Sequence, residues 1–224
     1  RAKSEIFKGL GEKGLAIVNQ DSQFAEFWLG KLKYQPVQTF SPDNQNAQAD
    51  FYATDIIIDL NGCAEFEMHS AQGNTDIRMA VPGMHNVGNA LVAAALTMAV
   101  GATLEDVKYG LQDMQAVGGR LKVVPLTEQV RILDDTYNAN VGSVKAAIDT
   151  LASFSGRRVL VLGDMAELGE KARYYHEQVG EYAKEKFIDC LYTSGVLSQS
   201  ASTAFGKNGY HFSEQAALIE ALEQ

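Results

Sequence analysis

Two short segments combine acids, amides and glycine in a way that can do chemistry. One is Leu133-Asp-Asp-Thr-Tyr-Asn-Ala-Asn140, the other Val161-Leu-Gly-Asp-Met-Ala-Glu-Leu-Gly169. Each directly follows a short apolar run that reads as a β-strand. In open parallel sheets ligands bind outside the carboxyl ends of the strands. Acids placed there suit ribose hydroxyls, amino groups or Mg²⁺. One helix-length segment joins the two runs, so the right-handed crossover rule predicts parallel strands. Asp134, Asp135, Asp164 and Glu167 are then expected to line one crevice. The alternative for each is helix N-capping, which Asp and Asn also do well.

A third segment, Pro82-Gly-Met-His-Asn-Val-Gly-Asn89, opens an apolar helix. Unpaired N–H groups at such an end favour anions. His85 and Asn86 would project from it, with Asn89 one turn on; a capping or core-edge histidine is the competing reading. Gly118-Gly-Arg120 could bring a guanidinium to an interdomain cleft, or be a flexible hinge bearing a surface arginine.

The elements that must position these residues fall into two textures. Leu15–Asn19 reads as a buried strand. Asp21-Ser-Gln then starts a helix through Leu32, with Phe24, Phe27, Trp28 and Leu32 at helical spacing. Phe51–Leu60, Ala64–Met68 and Asp76–Val81 form an expected three-stranded antiparallel meander, punctuated by Asn61-Gly62 and Gln72-Gly73-Asn74. A helix from about Asn86 to Val100 is apolar nearly all round and should be buried. A second is N-capped by Thr103, paired with Asp106, and turns Leu104, Val107 and Leu111 inward.

Beyond Gly118-Gly119 the pattern alternates. Strands are expected at Lys122–Pro125, Val130–Asp134, Arg158–Leu162, Ile188–Thr193 and Gly209–Phe212. Helices are expected at Ser143–Phe154, Tyr174–Lys184, from about Leu197, and from an N-cap at Ser213. That order predicts an α/β fold with a mainly parallel sheet and helices on both faces. The domains are expected at residues 1–118 and 119–224.

Composition excludes whole classes. A net charge of −9 argues against a broad nucleic-acid or anionic-membrane surface. The longest apolar run, Ala90–Val100, falls well short of the ~20 residues that span a bilayer. No signal-peptide pattern opens the chain, so a cytoplasmic location is expected. Cys63 and Cys190 lack metal-ligand spacing and read as two thiols in a reducing compartment, with one disulfide as the alternative. The first residue is Arg1, not Met, which suggests a processed chain or a fragment.

Taken in order, five segments resemble the Mur ligase family: Lys3-Ser-Glu-Ile-Phe7, Pro82–Asn89, Gly119-Arg120, Leu133–Ser143 and Leu162–Gly169. The best resemblance is to the branch that adds D-alanyl-D-alanine to a UDP-N-acetylmuramoyl-tripeptide in peptidoglycan precursor synthesis. It implies an ATP- and Mg²⁺-dependent amide ligase acting through an acyl phosphate. It also implies a partial central ATP-binding domain with the meander, then a Rossmann-like C-terminal domain, in a monomer.

Residue by residue, the resemblance makes Lys3 an N-carboxylated lysine (a carbamate) holding metal, with His85 beside it. Asn86 and Asn89 contact metal and adenine. Arg120 reaches the ATP phosphates on domain closure, and Asp135 takes the ribose hydroxyls. Tyr137, Asn138 and Asn140 flank nucleotide and dipeptide. Asp164, Glu167 and the less specific His176 face the substrates, with a helix-surface position as the other reading of His176.

The chain departs from the family pattern in carrying no G-x-x-x-x-G-K-[ST] phosphate loop. The family's N-terminal uridine-nucleotide domain and the closing strand and helix of its C-terminal domain are also missing from this stretch. The chain alone is therefore expected to be inactive. Two rivals remain: another ligase of the superfamily such as folylpolyglutamate synthase, which Tyr137–Asn140 and Met165–Gly169 disfavour, and a non-catalytic nucleotide- or partner-binding Rossmann-like module.

Overall fold

The computed structural model describes residues 2–42 and 48–223, with the side chains of residues 2 and 3 outside that description. The chain divides into two compact units, residues 1–59 with 63–115, and 60–62 with 116–224.

The first unit opens with a 3₁₀ helix, Ala2–Gly9, followed by β1 (Ala16–Asn19), α1 (Ala25–Lys31), β2 (Val37–Ser41), β3 (Phe51–Ile58), β4 (Cys63–Ser70) and β5 (Gly73–Pro82). The five strands form one sheet in sequence order, with β1, β2 and β3 parallel and β3, β4 and β5 antiparallel. The expected meander is therefore present, and β2 is a strand the periodicity does not reveal. The period-two logic of a sheet with one buried face is plain in β4 and β5. Ala64, Phe66 and Met68, then Ile77, Met79 and Val81, point inward and are buried.

Two helices, α2 (His85–Ala99) and α3 (Leu104–Gln112), complete the unit. α2 packs on the sheet through Val87, Ala90, Leu91, Ala94 and Ala95, but Leu96 is 53% exposed. The helix thus buries one stripe rather than its whole circumference. α3 matches its sequence signature closely. The Thr103 hydroxyl accepts from the Asp106 N–H and the Asp106 carboxylate accepts from the Thr103 N–H, a complete capping box. α1 begins later than expected, because Asp21 is engaged elsewhere: its carboxylate accepts from the buried Ser41 hydroxyl at 2.7 Å.

The second unit contains β6 (Lys122–Pro125), β7 (Arg131–Asp134), α4 (Val141–Ser153), β8 (Val159–Leu162), α5 (Ala172–Glu185), β9 (Cys190–Ser194), α6 (Gln199–Phe205), β10 (Gly209–Phe212) and α7 (Gln215–Leu222). β10, β9 and β8 form a parallel sheet, whereas β6 and β7 pair with each other as an antiparallel ladder. Among the described residues no ladder joins β7 to β8. The single sheet expected from the crossover rule is thus two separate ladders. α7 is capped at Glu214, without a side-chain bond, rather than at Ser213.

One core holds this unit together: Val144 and Ile148 of α4, Val179 and Ala183 of α5, and Ala201 and Phe205 of α6 close over Leu162 and Leu191. α5 and α6 approach so closely at Gly180 that a methyl group there would overlap the Ala201 carbonyl. Cys63 and Cys190 are both free thiols.

A methyl group at Gly180 therefore tests the core, and Gly110 in α3, with open space around it, supplies the control. Gly180→Ala should destabilise the chain by about 1–3 kcal/mol through overpacking. Gly110→Ala should be neutral or stabilising by up to ~1 kcal/mol. Denaturant unfolding followed by circular dichroism measures both.

Candidate functional site

The carboxyl ends of β8 and β9 lie side by side because the strands are parallel and in register. Gly163-Asp164-Met165 leaves β8 there and Gly195 leaves β9. The Asp164 carboxylate crosses between them and accepts backbone N–H bonds from Leu197 at 3.0 Å and Ser198 at 2.8 Å. Burial pushes this carboxyl up, but the Ser198 and Leu197 donors outweigh it and hold it below the ordinary range. Gly195, at φ 127, passes so near that any β-carbon would collide with the Asp164 carboxylate. Spacing alone singled out Asp164 but missed Gly195, whose signal is a glycine directly after an apolar strand.

Met165 is buried, and its N–H donates to His176 Nε2 at 2.9 Å. His176 Nδ1 lies 2.7 Å from the Ala172 carbonyl of the same helix. A nitrogen that accepts cannot carry a proton, so the ring is neutral with its proton on Nδ1. His176 is 0% exposed, which removes the helix-surface reading. Glu167, at the far side of this turn, is exposed and adopts φ 59.

The turn after β7 is built differently. Asp134 accepts from the Gly119 N–H at 3.0 Å and from the Thr136 hydroxyl at 2.7 Å. The Thr136 hydroxyl and the Gly119 N–H hold its carboxyl below the ordinary range. Gly119 in turn accepts from the Tyr137 N–H, so the two segments are laced together. That lacing sets the Arg120 guanidinium over the Tyr137 ring at 4.3 Å. Tyr137 and Asn138 are exposed, and Asp135 is half-buried beside them. Asn140 caps α4: its side chain accepts from the Ser143 N–H at 3.0 Å. Capping, the alternative raised for these amides, is what Asn140 does.

In the first unit, His85 is exposed at the start of α2, which lacks a side-chain cap. Asn86 donates to the Pro82 carbonyl at 2.7 Å and accepts from Asn89 at 2.9 Å, so the two amides form one hydrogen-bonded pair. The side chain of Lys3 lies outside the described residues. Among the described residues no three His, Cys, Asp or Glu side chains stand together as a metal ion would need. Likewise, no helix is long and apolar enough to cross a membrane.

Comparison with known proteins adds what geometry cannot. Residues 1–97 match the Mur ligase middle domain, and residues 119–224 match the Mur ligase glutamate ligase domain. Over its whole length the chain is 47% identical to the UDP-N-acetylmuramoyl-tripeptide–D-alanyl-D-alanine ligase of Escherichia coli strain K12, covering 48% of that protein. A crystal structure of MurF from Acinetobacter baumannii superposes on all of the chain with a TM-score of 0.90 at 32% identity, again over 48% of its own length. MurF ligase of Thermotoga maritima in complex with ADP gives 0.77 at 22% identity, covering 98% of this chain and 49% of that one, a likeness of fold. The chain thus spans about half the length of the relatives it matches.

Asp134 offers a test by pH. A carboxyl held below its unfolded value of about 3.9 adds stability above that pH, and the contribution disappears as pH falls through the folded value. Asp134→Asn should therefore be less stable than the parent chain at neutral pH. The difference should shrink as acid protonates Asp134, as read from denaturant midpoints across the acid range.

Proposed function

The chain belongs to the Mur ligase family, and on that footing we propose that the protein containing it is an ATP-dependent ligase. It joins D-alanyl-D-alanine to a UDP-N-acetylmuramoyl-tripeptide. The observation that carries the reading is end-to-end similarity to ligases of that name, 47% identical in one case. A carboxylate is a poor electrophile, and ATP supplies the phosphoryl group that converts it to an acyl phosphate open to an amine. Cations must offset charge on the transferring phosphoryl group.

The residues fit a nucleotide. Asp135, half-buried just after β7, accepts the ribose hydroxyls in this reading. Arg120, held over Tyr137, carries the charge for the phosphates. Tyr137 and Asn138 flank the base. Asn138, Asn140 and Glu167 face the substrates, with Asn140 doing so as a helix cap. Asn86 and Asn89 belong to the adenine side. Mg²⁺, with Lys3 as a carbamate and His85 as ligands, is proposed on the family resemblance alone. The described residues show no donor cluster for it. We place the domain boundary between residues 118 and 119, and take the protein to be a cytoplasmic monomer.

Activity measurements on the full-length protein decide this. Arg120→Ala should lower kcat by about 10²-fold or more, the usual cost of losing one preorganised charge partner. Asp135→Ala should raise KM for ATP about tenfold with KM for D-alanyl-D-alanine unmoved, the pattern of lost nucleotide binding. The 224-residue chain alone should form no amide. A full-length protein without ATP-dependent D-alanyl-D-alanine incorporation would sink the reading.

A further inference from the structure

The loop from Gly163 to Gly169 is held by hydrogen bonds at two consecutive residues. Asp164 spends its carboxylate on the Leu197 and Ser198 N–H groups. Met165 gives its N–H to a fully buried histidine. Two residues later Glu167 sits at φ 59, the left-handed region that a residue with a β-carbon enters at a cost. Such a conformation persists only where the surroundings over-determine it. The same loop uses glycine at its other left-handed position, Gly169 with φ 62.

We propose that His176 and Asp164 are positioning residues that touch no substrate: together they lock the loop that presents Glu167 to the acceptor substrates. The proposal rests on the ligase reading above and deepens it. His176 acts through one hydrogen-bond acceptor, the unprotonated Nε2, aimed at the Met165 N–H. Asp164 acts through charge-assisted bonds to two peptide N–H groups, and the absence of a β-carbon at Gly195 leaves room for its carboxylate there. Each bond is local, yet the pair spans the loop at consecutive residues. Losing either should let the turn at Glu167 relax toward an ordinary conformation and move its carboxylate.

The test uses the full-length enzyme. His176→Leu removes the acceptor at similar volume, whereas His176→Gln can return an oxygen to the place of Nε2. His176→Leu should raise KM for D-alanyl-D-alanine about tenfold while KM for ATP stays within about twofold, because a misplaced contact is felt at its own substrate. His176→Gln should recover most of the loss. Hydrogen exchange at the Met165 amide should accelerate in the Leu variant and return toward the parent rate in the Gln variant.

If the Leu variant fails to fold, Asp164→Ala and Gly195→Ala should give the same split in KM. Uniform loss in kcat and in both KM values, or Met165 exchange unchanged in His176→Leu, would overturn the proposal. If the unaltered enzyme forms no amide from D-alanyl-D-alanine, the ligase reading falls and this role with it. Faster Met165 exchange in the Leu variant would then still identify the anchor.

Discussion

A carboxylate that gives up part of its hydration at the end of a parallel sheet gains from donors that take the place of the lost water. At Asp164 that replacement is a pair of peptide N–H groups from the turn that leads into α6. The bond has a geometric consequence on both sides. It ties the segment after β8 to the segment after β9, and it excludes any side chain at Gly195. It also lowers the carboxyl's affinity for protons, so the tie stays charged at neutral pH. The loop after β8 depends on this interaction together with the bond from the Met165 N–H to the buried His176.

The neighbouring histidine solves the same problem without charge. A buried imidazolium would need a counter-ion. A neutral ring needs only one donor and one acceptor, and His176 finds both within reach, the Met165 N–H and the Ala172 carbonyl. The side chain is therefore satisfied inside the core while still acting on a surface loop. In the turn after β7 the equivalent work falls to Asp134, which binds Gly119 and Thr136. In each acidic segment, then, one acid holds the backbone, Asp134 in one and Asp164 in the other, and the acids proposed to meet a ligand are Asp135 and Glu167.

That division explains what the sequence could and could not disclose. Capping at α3 was legible because Thr103 and Asp106 are three residues apart and answer each other locally. The meander was legible because alternation and turn glycines are also local. β2 was not: Val37–Ser41 shows no clean alternation, and neighbours on both sides make it a strand. The separation of β7 from β8 was hidden for the same reason. A crossover rule states the handedness of a connection between paired strands and cannot say that they pair. Asp21 read as the start of α1, and Ser41, twenty positions away, claims it instead.

The candidate site repeats the lesson at the level of single side chains. Residue type and position marked both acidic segments and, through the family resemblance, the class of chemistry expected of them. They could not separate the acid that builds the loop from the acid that the loop offers. Asp134 and Asp135 are adjacent and chemically identical, yet Asp134 is bonded to Gly119, fifteen positions earlier. Only the fold brings that N–H to it. Which acid holds the turn is thus decided by donors that its sequence neighbours do not supply.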